Sequence, residues 1–276
     1  MSKILDGLEL ASYIKERQLK QVRSLRQSWK IIPRLAIIRM GDDAVTDKYT
    51  QLKSIYGEDI MVDVDIYNPI PTELLGQIKS LNDEDSVHGI IIQLPLADKT
   101  LTEDAINSVL ASKDVDGLGD NSLFTPATAM AIDWLLAGYN INLVDKKIAI
   151  VGKGRLVGAP LAKLWKSSGF DVTICDTKTA DLALALKPMN IIVSATGIPG
   201  LIKSSMIRAD AAVVDAGTAS EQGMIVGDLA DDVRERPDLS ITPIIGGVGP
   251  LTVTALFDNV ISAARKVADQ KGQSDI

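Results

Sequence analysis

A glycine-rich segment near the middle of the chain has the residue types that bind a phosphate group. Gly152, Gly154 and Gly158 follow an apolar run typical of a buried strand, and a helical pattern begins at Ala159. Glycines let backbone amides approach a pyrophosphate, and the N-terminus of a helix adds partial positive charge. The segment predicts a dinucleotide-binding turn, although its Gly-x-Gly-x-x-x-Gly spacing is one residue longer than the commonest fingerprint. A strand-to-helix turn that binds nothing is the alternative.

Charged residues near this turn point to two different dinucleotides. Asp176 ends the next predicted strand, where an acidic side chain accepts hydrogen bonds from the adenosine ribose of NAD. Lys153, Arg155 and Lys178 are cations that could instead hold the 2′-phosphate of NADP. An ordinary solvated aspartate is a third interpretation of Asp176. The sequence therefore leaves the choice of dinucleotide open.

The first half of the chain carries a second set of candidates. Tyr49 and Lys53 stand four residues apart and share one face of a predicted helix, where they could stack an aromatic ligand and direct an ammonium at its reacting centre. Gln93 ends a predicted parallel strand, a position where open α/β sheets bind ligands. Asp116 lies in the motif Lys-Asp-Val-Asp-Gly and could hold a polar ring. The alternatives are a surface lysine beside a half-buried tyrosine, a strand end closed by proline, and a charged turn.

An alternation of strand and helix patterns must position these residues. The strand patterns cover residues 35–38, 60–67, 87–94, 146–151, 172–175, 191–195 and 212–215, and the helix patterns cover 8–29, 45–56, 159–165 and 252–268, with a further helix start at Pro71. Such an alternation predicts right-handed βαβ units and parallel sheets. Asp63 and Asp65 alternate with apolar residues in the second strand, which predicts one solvated face. The segment 113–126, rich in Gly, Asp and Asn, is the predicted boundary between two α/β domains.

The composition excludes several classes of protein. The chain has 276 residues, 46% of them hydrophobic, and a formal net charge of -7. The apolar share is enough for a buried core, and the acidic balance argues against nucleic-acid binding. A single cysteine, Cys175, and a single histidine, His88, exclude a disulfide scaffold and a cysteine or multi-histidine metal site. We expect Cys175 to be buried and His88 to be a core or strand-end residue, and no metal requirement is predicted. Since no apolar run approaches about 18 residues, we expect a soluble cytoplasmic protein with no membrane partner.

Taken in order, these segments resemble the bifunctional methylenetetrahydrofolate dehydrogenase/methenyltetrahydrofolate cyclohydrolase family over nearly the whole chain. The matching segments are residues 4–7, 41–53, 89–96, 113–117, 152–160 and 242–252. The resemblance implies two α/β domains: residues 1–120 with 252–276 form a folate-binding catalytic domain, and residues 121–251 form a Rossmann-like NAD(P)-binding domain. The C-terminal helix would return to the first domain. NADP as cofactor (NAD not excluded), a folate substrate and a homodimer are also implied.

The resemblance also assigns a role to each candidate. It implies oxidation of 5,10-methylenetetrahydrofolate to the 5,10-methenyl compound and hydrolysis of that product to 10-formyltetrahydrofolate, within one-carbon metabolism and purine biosynthesis. Lys53 would be the catalytic lysine, Gln93 its hydrogen-bonding neighbour, Tyr49 a stacking wall, and Asp116 the residue that holds the pterin ring. The implied substrate-binding residues are Tyr49, Lys53, Ile92, Gln93, Leu94, Asp116, Ile245, Gly246, Gly247, Val248 and Gly249. The implied cofactor-binding residues are Gly152, Lys153, Gly154, Asp176, Thr177 and Thr218.

Some of these positions depart from the family pattern. Lys153-Gly154 replaces Arg-Ser, and Asp176-Thr177 replaces His-Ser, both in the region that meets a 2′-phosphate. Ile245 replaces a proline. Two alternatives to the bifunctional enzyme therefore stay open: a protein with only one of the two activities, and a catalytically silent regulator that binds folate or nucleotide.

Overall fold

The chain folds into two compact α/β units. A computed structural model describes residues 3–41, 44–217, 219–221 and 224–270. The first unit consists of Ser12–Ala127 and the chain from Val253 onward. The second unit consists of the residues up to Ala11 and of Thr128–Thr252. Within the described residues, no helix is long and apolar enough to cross a membrane.

The first unit is built on a three-stranded parallel sheet. Its strands are β2 (Arg34–Ile38), β3 (Asp63–Tyr67) and β4 (Gly89–Ile92), in the order β3-β2-β4. Its helices are α1 (Gly7–Ser28), which begins in the second unit, α2 (Ala44–Asp59), α3 (Leu74–Asp83), α4 (Thr102–Ser108) and most of α9 (Val248–Gln270). The side chains of Leu35, Ala36, Ile37 and Ile38 are fully buried, as expected for the central strand of a sheet covered on both faces.

The predicted alternation in the second strand is only partly correct. Val62 is buried and Val64 is half-buried, but Ile66 is 48% exposed. β3 is at the edge of the sheet that the described residues form, so the packed elements cover its apolar face less completely than that of the central strand β2. Asp63 is exposed and Asp65 is half-exposed, as predicted for a solvated face, and the Asp65 carboxylate pairs there with the Arg34 guanidinium on the adjacent strand.

The C-terminal helix α9 packs with the first unit from Val253 onward, as predicted. The amide nitrogen of Asn259 donates hydrogen bonds to the carbonyl oxygens of Val115 and Thr125 at 2.9 and 3.0 Å. The Phe257 ring stacks on Tyr56 with 5.1 Å between centroids. The helix begins at Val248, four residues before the predicted start, because Pro250 fits a first helical turn, where the missing N–H has no partner to lose.

The second unit is built on a six-stranded sheet in which every neighbouring pair is parallel. Its strands are β1 (Lys3–Ile4), β5 (Ile148–Val151), β6 (Val172–Cys175), β7 (Ile191–Ser194), β8 (Ala212–Asp215) and β11 (Ser240–Ile241), in the order β1-β11-β8-β7-β5-β6. An antiparallel pair, β9 (Ala219–Glu221) with β10 (Met224–Val226), stands apart from this sheet. The helices are α5 (Ala127–Gly138), α6 (Gly158–Ser167), α7 (Leu182–Leu186) and α8 (Asp231–Arg234). The predicted alternation of strands and helices and the predicted Rossmann-like fold with a parallel sheet are confirmed.

Cys175 is buried, as predicted, and His88 is a core histidine, which is one of its two predicted interpretations. Cys175 ends β6 with 1% of its surface exposed, and burial raises the pKa of its thiol. His88 precedes β4, and its Nδ1 accepts a hydrogen bond from the backbone N–H of Arg34 at 3.3 Å. Among the described residues, no group of three or more His, Cys, Asp and Glu side chains is arranged to hold a metal ion.

Candidate functional site

Lys53 and Gln93 are in direct contact in the first unit. Lys53 lies on α2 one turn after Tyr49, and its Nζ donates a hydrogen bond to Oε1 of Gln93 at 2.7 Å. Gln93 directly follows β4, and its backbone N–H donates to the Ile38 carbonyl at the end of β2 at 2.7 Å. The side-chain amide of Gln93 donates to the Leu94 carbonyl at 3.2 Å, so its oxygen is the atom turned toward the lysine. Gln93 therefore fixes the position of the ammonium.

Asp116 reaches the same edge of the three-stranded sheet. The chain around Asp114 runs parallel to β4 and bridges to Ile90, whose N–H donates to the Lys113 carbonyl at 2.7 Å. In the strand order β3-β2-β4 the chain passes from β2 to its neighbour on one side, β3, and then crosses to its neighbour on the other side, β4. The order of the strands therefore reverses between β2 and β4. Ligands of open parallel sheets bind at such a point, outside the carboxyl ends of the strands. Gln93 and Asp116 both follow strand segments that end there.

The remaining residues of the Lys-Asp-Val-Asp-Gly motif build the turn that presents Asp116. The Lys113 ammonium donates to three carbonyl oxygens, those of Leu81, Asn82 and Glu84, at 2.7–3.0 Å. The buried Asp114 carboxylate accepts hydrogen bonds from two backbone N–H groups farther along the turn, at 3.1 and 2.8 Å. Among the described residues, the Asp116 carboxylate accepts no hydrogen bond. Lys113 and Asp114 are therefore structural, and Asp116 has its acceptors available for a ligand.

Burial shifts the ionisation of Lys53 and Asp116 in opposite directions. Burial lowers the pKa of the Lys53 ammonium, and the negative charge of Asp116 opposes that change. Burial likewise raises the pKa of the Asp116 carboxyl, and the positive charge of Lys53 opposes it. A lysine whose pKa is lowered can supply a neutral amine nearer to neutral pH, which is the requirement for a general base.

The glycine turn of the second unit has the backbone geometry of a dinucleotide-binding turn. Gly152 has φ +100°, and a Cβ there would lie 2.5 Å from the Ala195 carbonyl oxygen. A Cβ on Gly158 would lie 2.1 Å from the Gly152 oxygen, so α6 begins in close contact with the turn. A Cβ on Gly154 would have no atom within 4 Å, because this exposed residue faces open space. The backbone around Gly154 and the first turn of α6 are therefore accessible to a pyrophosphate.

Asp176 leaves the sheet beside this turn. Strands β5 and β6 are adjacent and parallel with Val151 opposite Cys175, so Gly152 and Asp176 are the next residues of the two strands. The Gly152 N–H donates to the Cys175 carbonyl at 2.8 Å. Asp176 and Thr177 are exposed, and one carboxylate oxygen of Asp176 accepts the Lys178 N–H at 2.9 Å.

Both parts of the chain match models of one family. Residues 5–116 match the catalytic domain of tetrahydrofolate dehydrogenase/cyclohydrolase, and residues 126–268 match its NAD(P)-binding domain. The chain belongs to this family. It is 36% identical over 277 residues to the bifunctional protein FolD of Campylobacter jejuni strain RM1221, covering 95% of this chain and 98% of that protein. FolD of a Hydrogenobaculum species is also 36% identical, with 95% and 99% covered.

Solved structures of the family have the same fold. The crystal structure of the C. jejuni enzyme is 34% identical with a TM-score of 0.91, covering 97% of this chain and 100% of that one. The Trypanosoma brucei enzyme, solved with NADP and an inhibitor, is 28% identical with a TM-score of 0.90, covering 97% and 98%. The NAD-dependent dehydrogenase of Saccharomyces cerevisiae has a TM-score of 0.77 over 98% and 99% of the chains; at 18% identity it shows the fold alone.

A buried polar cluster beside the glycine turn was not predicted from the sequence. One carboxylate oxygen of Asp228 accepts hydrogen bonds from the Ser194 hydroxyl at 2.6 Å and from the Thr196 N–H at 2.7 Å. Arg234 pairs with Asp215 at 3.0 Å; burial is the main cause of the raised pKa of Asp215, and the Asp228 charge adds to it. The cluster holds the loop after β7, which contacts Gly152. The sequence signal for this cluster is an acidic residue at the end of an apolar strand, as at Asp215.

Five of the predicted substrate-binding residues lie in the second unit, in the loop before and at the start of α9. Ile245 is 81% exposed, whereas Gly247 is buried against Thr242. The Gly246 carbonyl accepts the N–H of Leu8 at 3.0 Å. Their role, like that of Ile92 and Leu94 beside Gln93, stays a prediction. Thr218, and the two aspartates that follow Gly41 in the matching motif, lie outside the described residues.

Proposed function

We propose that this chain oxidises 5,10-methylenetetrahydrofolate to 5,10-methenyltetrahydrofolate with a nicotinamide dinucleotide and then hydrolyses the product to 10-formyltetrahydrofolate. The observation that carries the proposal is the half-buried Lys53 ammonium, which Gln93 holds and whose charge interacts with that of Asp116. The family of the chain and the names of its relatives support the same two activities.

The oxidation requires mainly alignment from the protein. A bound NAD(P) supplies the acceptor for the hydride that leaves the bridging methylene carbon. The ring nitrogens of the folate stabilise the cation that forms, so no protein base is needed at this carbon. The part of the glycine turn is to hold the pyrophosphate through backbone N–H groups and the N-terminus of α6. Gly152 and Gly158 make that geometry possible because a side chain at either position would meet backbone atoms.

The hydrolysis requires proton transfer, which we assign to Lys53. Water adds to the methenyl carbon, and the five-membered ring then opens at a carbon–nitrogen bond. A neutral Lys53 amine accepts a proton from the attacking water, and the ammonium formed can return one to the leaving nitrogen. The cationic substrate disfavours a charged lysine, which adds to the effect of burial on its pKa. Gln93 does not titrate and keeps the amine in place, while Asp116 accepts hydrogen bonds from the pterin ring and Tyr49 stacks on it.

The test separates the two reactions in a Lys53→Met variant. Methenyl hydrolysis should fall by about 100-fold or more, the lower range of general acid–base catalysis, while NAD(P) affinity stays close to that of the wild type. Lys48→Met is the matched control, since Lys48 is an exposed lysine on the same helix. Full methenyl hydrolysis in Lys53→Met would refute the assignment. Binding of both ligands by the wild type without turnover would instead indicate a silent regulator, and turnover of only one reaction would indicate a single-activity enzyme.

We also propose that the chain works as a cytoplasmic homodimer. The family resemblance supports the dimer, and a single buried cysteine suits a reducing compartment. Light scattering of the purified protein gives the mass directly, and a monomeric mass at micromolar concentration would contradict the dimer.

A further inference from the structure

We propose that Asp176 selects NAD over NADP by accepting hydrogen bonds from the adenosine ribose and by repelling a 2′-phosphate. The inference rests on the proposed function, because it requires a dinucleotide at the glycine turn. It narrows the cofactor of that same site from two dinucleotides to one.

Asp176 lies at the end of the sheet where the adenosine ribose of a dinucleotide is expected. In a Rossmann-like unit the pyrophosphate lies over the turn after the first strand, and the adenosine ribose lies at the carboxyl end of the next strand. Here those strands are β5 and β6, paired in parallel with Val151 opposite Cys175. Asp176 is the first residue after β6 and is exposed at the edge where Gly152 leaves β5. Its side chain therefore stands where the ribose hydroxyls are expected.

The Asp176 carboxylate has the hydrogen-bonding properties that distinguish a ribose from a 2′-phosphate. The Asp176 backbone N–H donates to Oγ1 of Thr179 at 3.0 Å, and Oδ1 accepts the Lys178 N–H at 2.9 Å, so the carboxylate is fixed to its own loop. Among the described residues it forms no ion pair. The other oxygen remains as an acceptor. A carboxylate only accepts hydrogen bonds, which suits the donor hydroxyls of a ribose, whereas a phosphate offers acceptor oxygens and a like charge.

The nearby cations do not reverse this preference. Lys153 and Arg155 lie on the glycine turn, where the two negative charges of the pyrophosphate are the same in NAD and NADP. Lys178 is exposed, and the charge of one flexible lysine is offset by the fixed carboxylate of Asp176. A 2′-phosphate would then meet no net positive charge at the end of β6, and it would lack the planar fork that an arginine gives to phosphate.

The experiment measures equilibrium binding and needs neither folate nor turnover. NAD, NADP, 5′-AMP and 2′,5′-ADP are titrated by calorimetry into the wild type and into Asp176→Asn, which keeps the oxygen that accepts the Lys178 N–H. Asp181→Asn is the control: Asp181 is an exposed aspartate that caps α7 through the Leu184 N–H, and asparagine caps equally well. The wild type should bind NAD and 5′-AMP about tenfold or more tighter than the 2′-phosphorylated ligands, the effect of a like charge a few ångströms away.

The variants decide among the outcomes. Asp176→Asn should move the NAD to NADP affinity ratio toward NADP by about tenfold, while Asp181→Asn leaves it unchanged. Arg155→Ala should weaken both dinucleotides equally; a selective loss of NADP would assign the 2′-phosphate to Arg155 and overturn the proposal. Tighter NADP binding by the wild type, or an unchanged ratio in Asp176→Asn, would also overturn it and leave the proposed function standing. Binding of none of the four ligands would overturn the nucleotide site and both proposals with it.

Discussion

Removing the buried carboxylate of Asp228 should destabilise the second unit and weaken dinucleotide binding together. In Asp228→Ala the Ser194 hydroxyl and the Thr196 N–H, now bonded at 2.6 and 2.7 Å, lose their common acceptor inside the protein. An unpaired buried donor such as the Ser194 hydroxyl costs about 1–3 kcal/mol, and the half-buried Thr196 N–H adds a smaller cost because water can reach it. Relief of the repulsion between Asp228 and Asp215 offsets part of this cost. We therefore expect a loss of about 1–3 kcal/mol.

The binding effect follows from where Thr196 lies. A Cβ on Gly152 would approach the Thr196 side chain to 3.2 Å, so the loop held by Asp228 is in contact with the glycine turn. When that loop loosens, the turn must be ordered again by the dinucleotide, and part of the binding energy is spent on this ordering. NAD(P) affinity should fall by about tenfold or more.

Urea unfolding followed by circular dichroism gives the stability, and calorimetric titration gives the affinity. Asp228→Asn is the conservative variant, since the asparagine carbonyl oxygen can still accept hydrogen bonds from both donors. The free energy of unfolding of this variant should fall by only about 1 kcal/mol. Val193→Ala is the matched control: Val193 is a fully buried residue of β7, and its truncation costs stability without removing the acceptor of Thr196. An Asp228→Ala protein as stable as the wild type would refute the reasoning. Equal losses of NAD(P) affinity in Asp228→Ala and Val193→Ala would refute the link between the hydrogen bonds of Asp228 and dinucleotide binding.

Two further predictions concern the two sites separately. In Asp116→Asn the pKa of Lys53 should fall further, because the negative charge that opposes the effect of burial is gone. The pH at which kcat for methenyl hydrolysis is half-maximal should therefore be lower than in the wild type, when kcat is measured at saturating substrate. In Gly158→Ala the new methyl group would lie 2.1 Å from the Gly152 oxygen, a backbone atom, so the turn must shift. NAD(P) affinity should then fall by about tenfold, and thermal unfolding should show a loss of about 1–3 kcal/mol.

Each of these predictions has a control in the same unit or of the same chemistry. Asp120→Asn removes an exposed carboxylate from the segment that follows Asp116, and its pH profile should match that of the wild type. A shift of the Asp116→Asn profile to higher pH would contradict the proposed electrostatics. Gly76→Ala adds a methyl group in helix α3 where no atom lies within 4 Å, so it should leave binding unchanged and stabilise the protein by about 0.5–1 kcal/mol, because alanine favours a helix over glycine. Undiminished NAD(P) affinity in Gly158→Ala would contradict the close approach of the turn and the helix.

The elements that the sequence predicts best are the buried parallel strands. The predicted bounds 172–175 and 212–215 agree with β6 and β8, because an apolar run between turn residues leaves little choice of ends. Strand β1 was not predicted, since its two residues gain their partners from β11 near the opposite end of the chain. Local periodicity contains no signal for such a pairing.

The candidate site also has one part that the sequence predicts and one part that it does not. The contact of Lys53 with Gln93 follows from a helix face and a strand end that family resemblance had already brought together. The bonds from Asp228 to Ser194 and Thr196 join segments 34 and 32 residues apart, and no spacing rule links a serine at a strand end with a later aspartate. Side-chain networks of this kind depend on the tertiary fold, so they become visible only in the structure.

The buried thiol of Cys175 gives this protein a built-in reporter. It is the single cysteine of the chain, it lies at the end of β6, and its carbonyl holds the Gly152 N–H. A thiol reagent can reach it only when this edge of the sheet opens, so the labelling rate records local opening rather than surface chemistry. A dinucleotide seated on the neighbouring backbone would slow that opening and protect the sulfur. Alkylation kinetics can thus follow occupancy in unlabelled, unmutated protein.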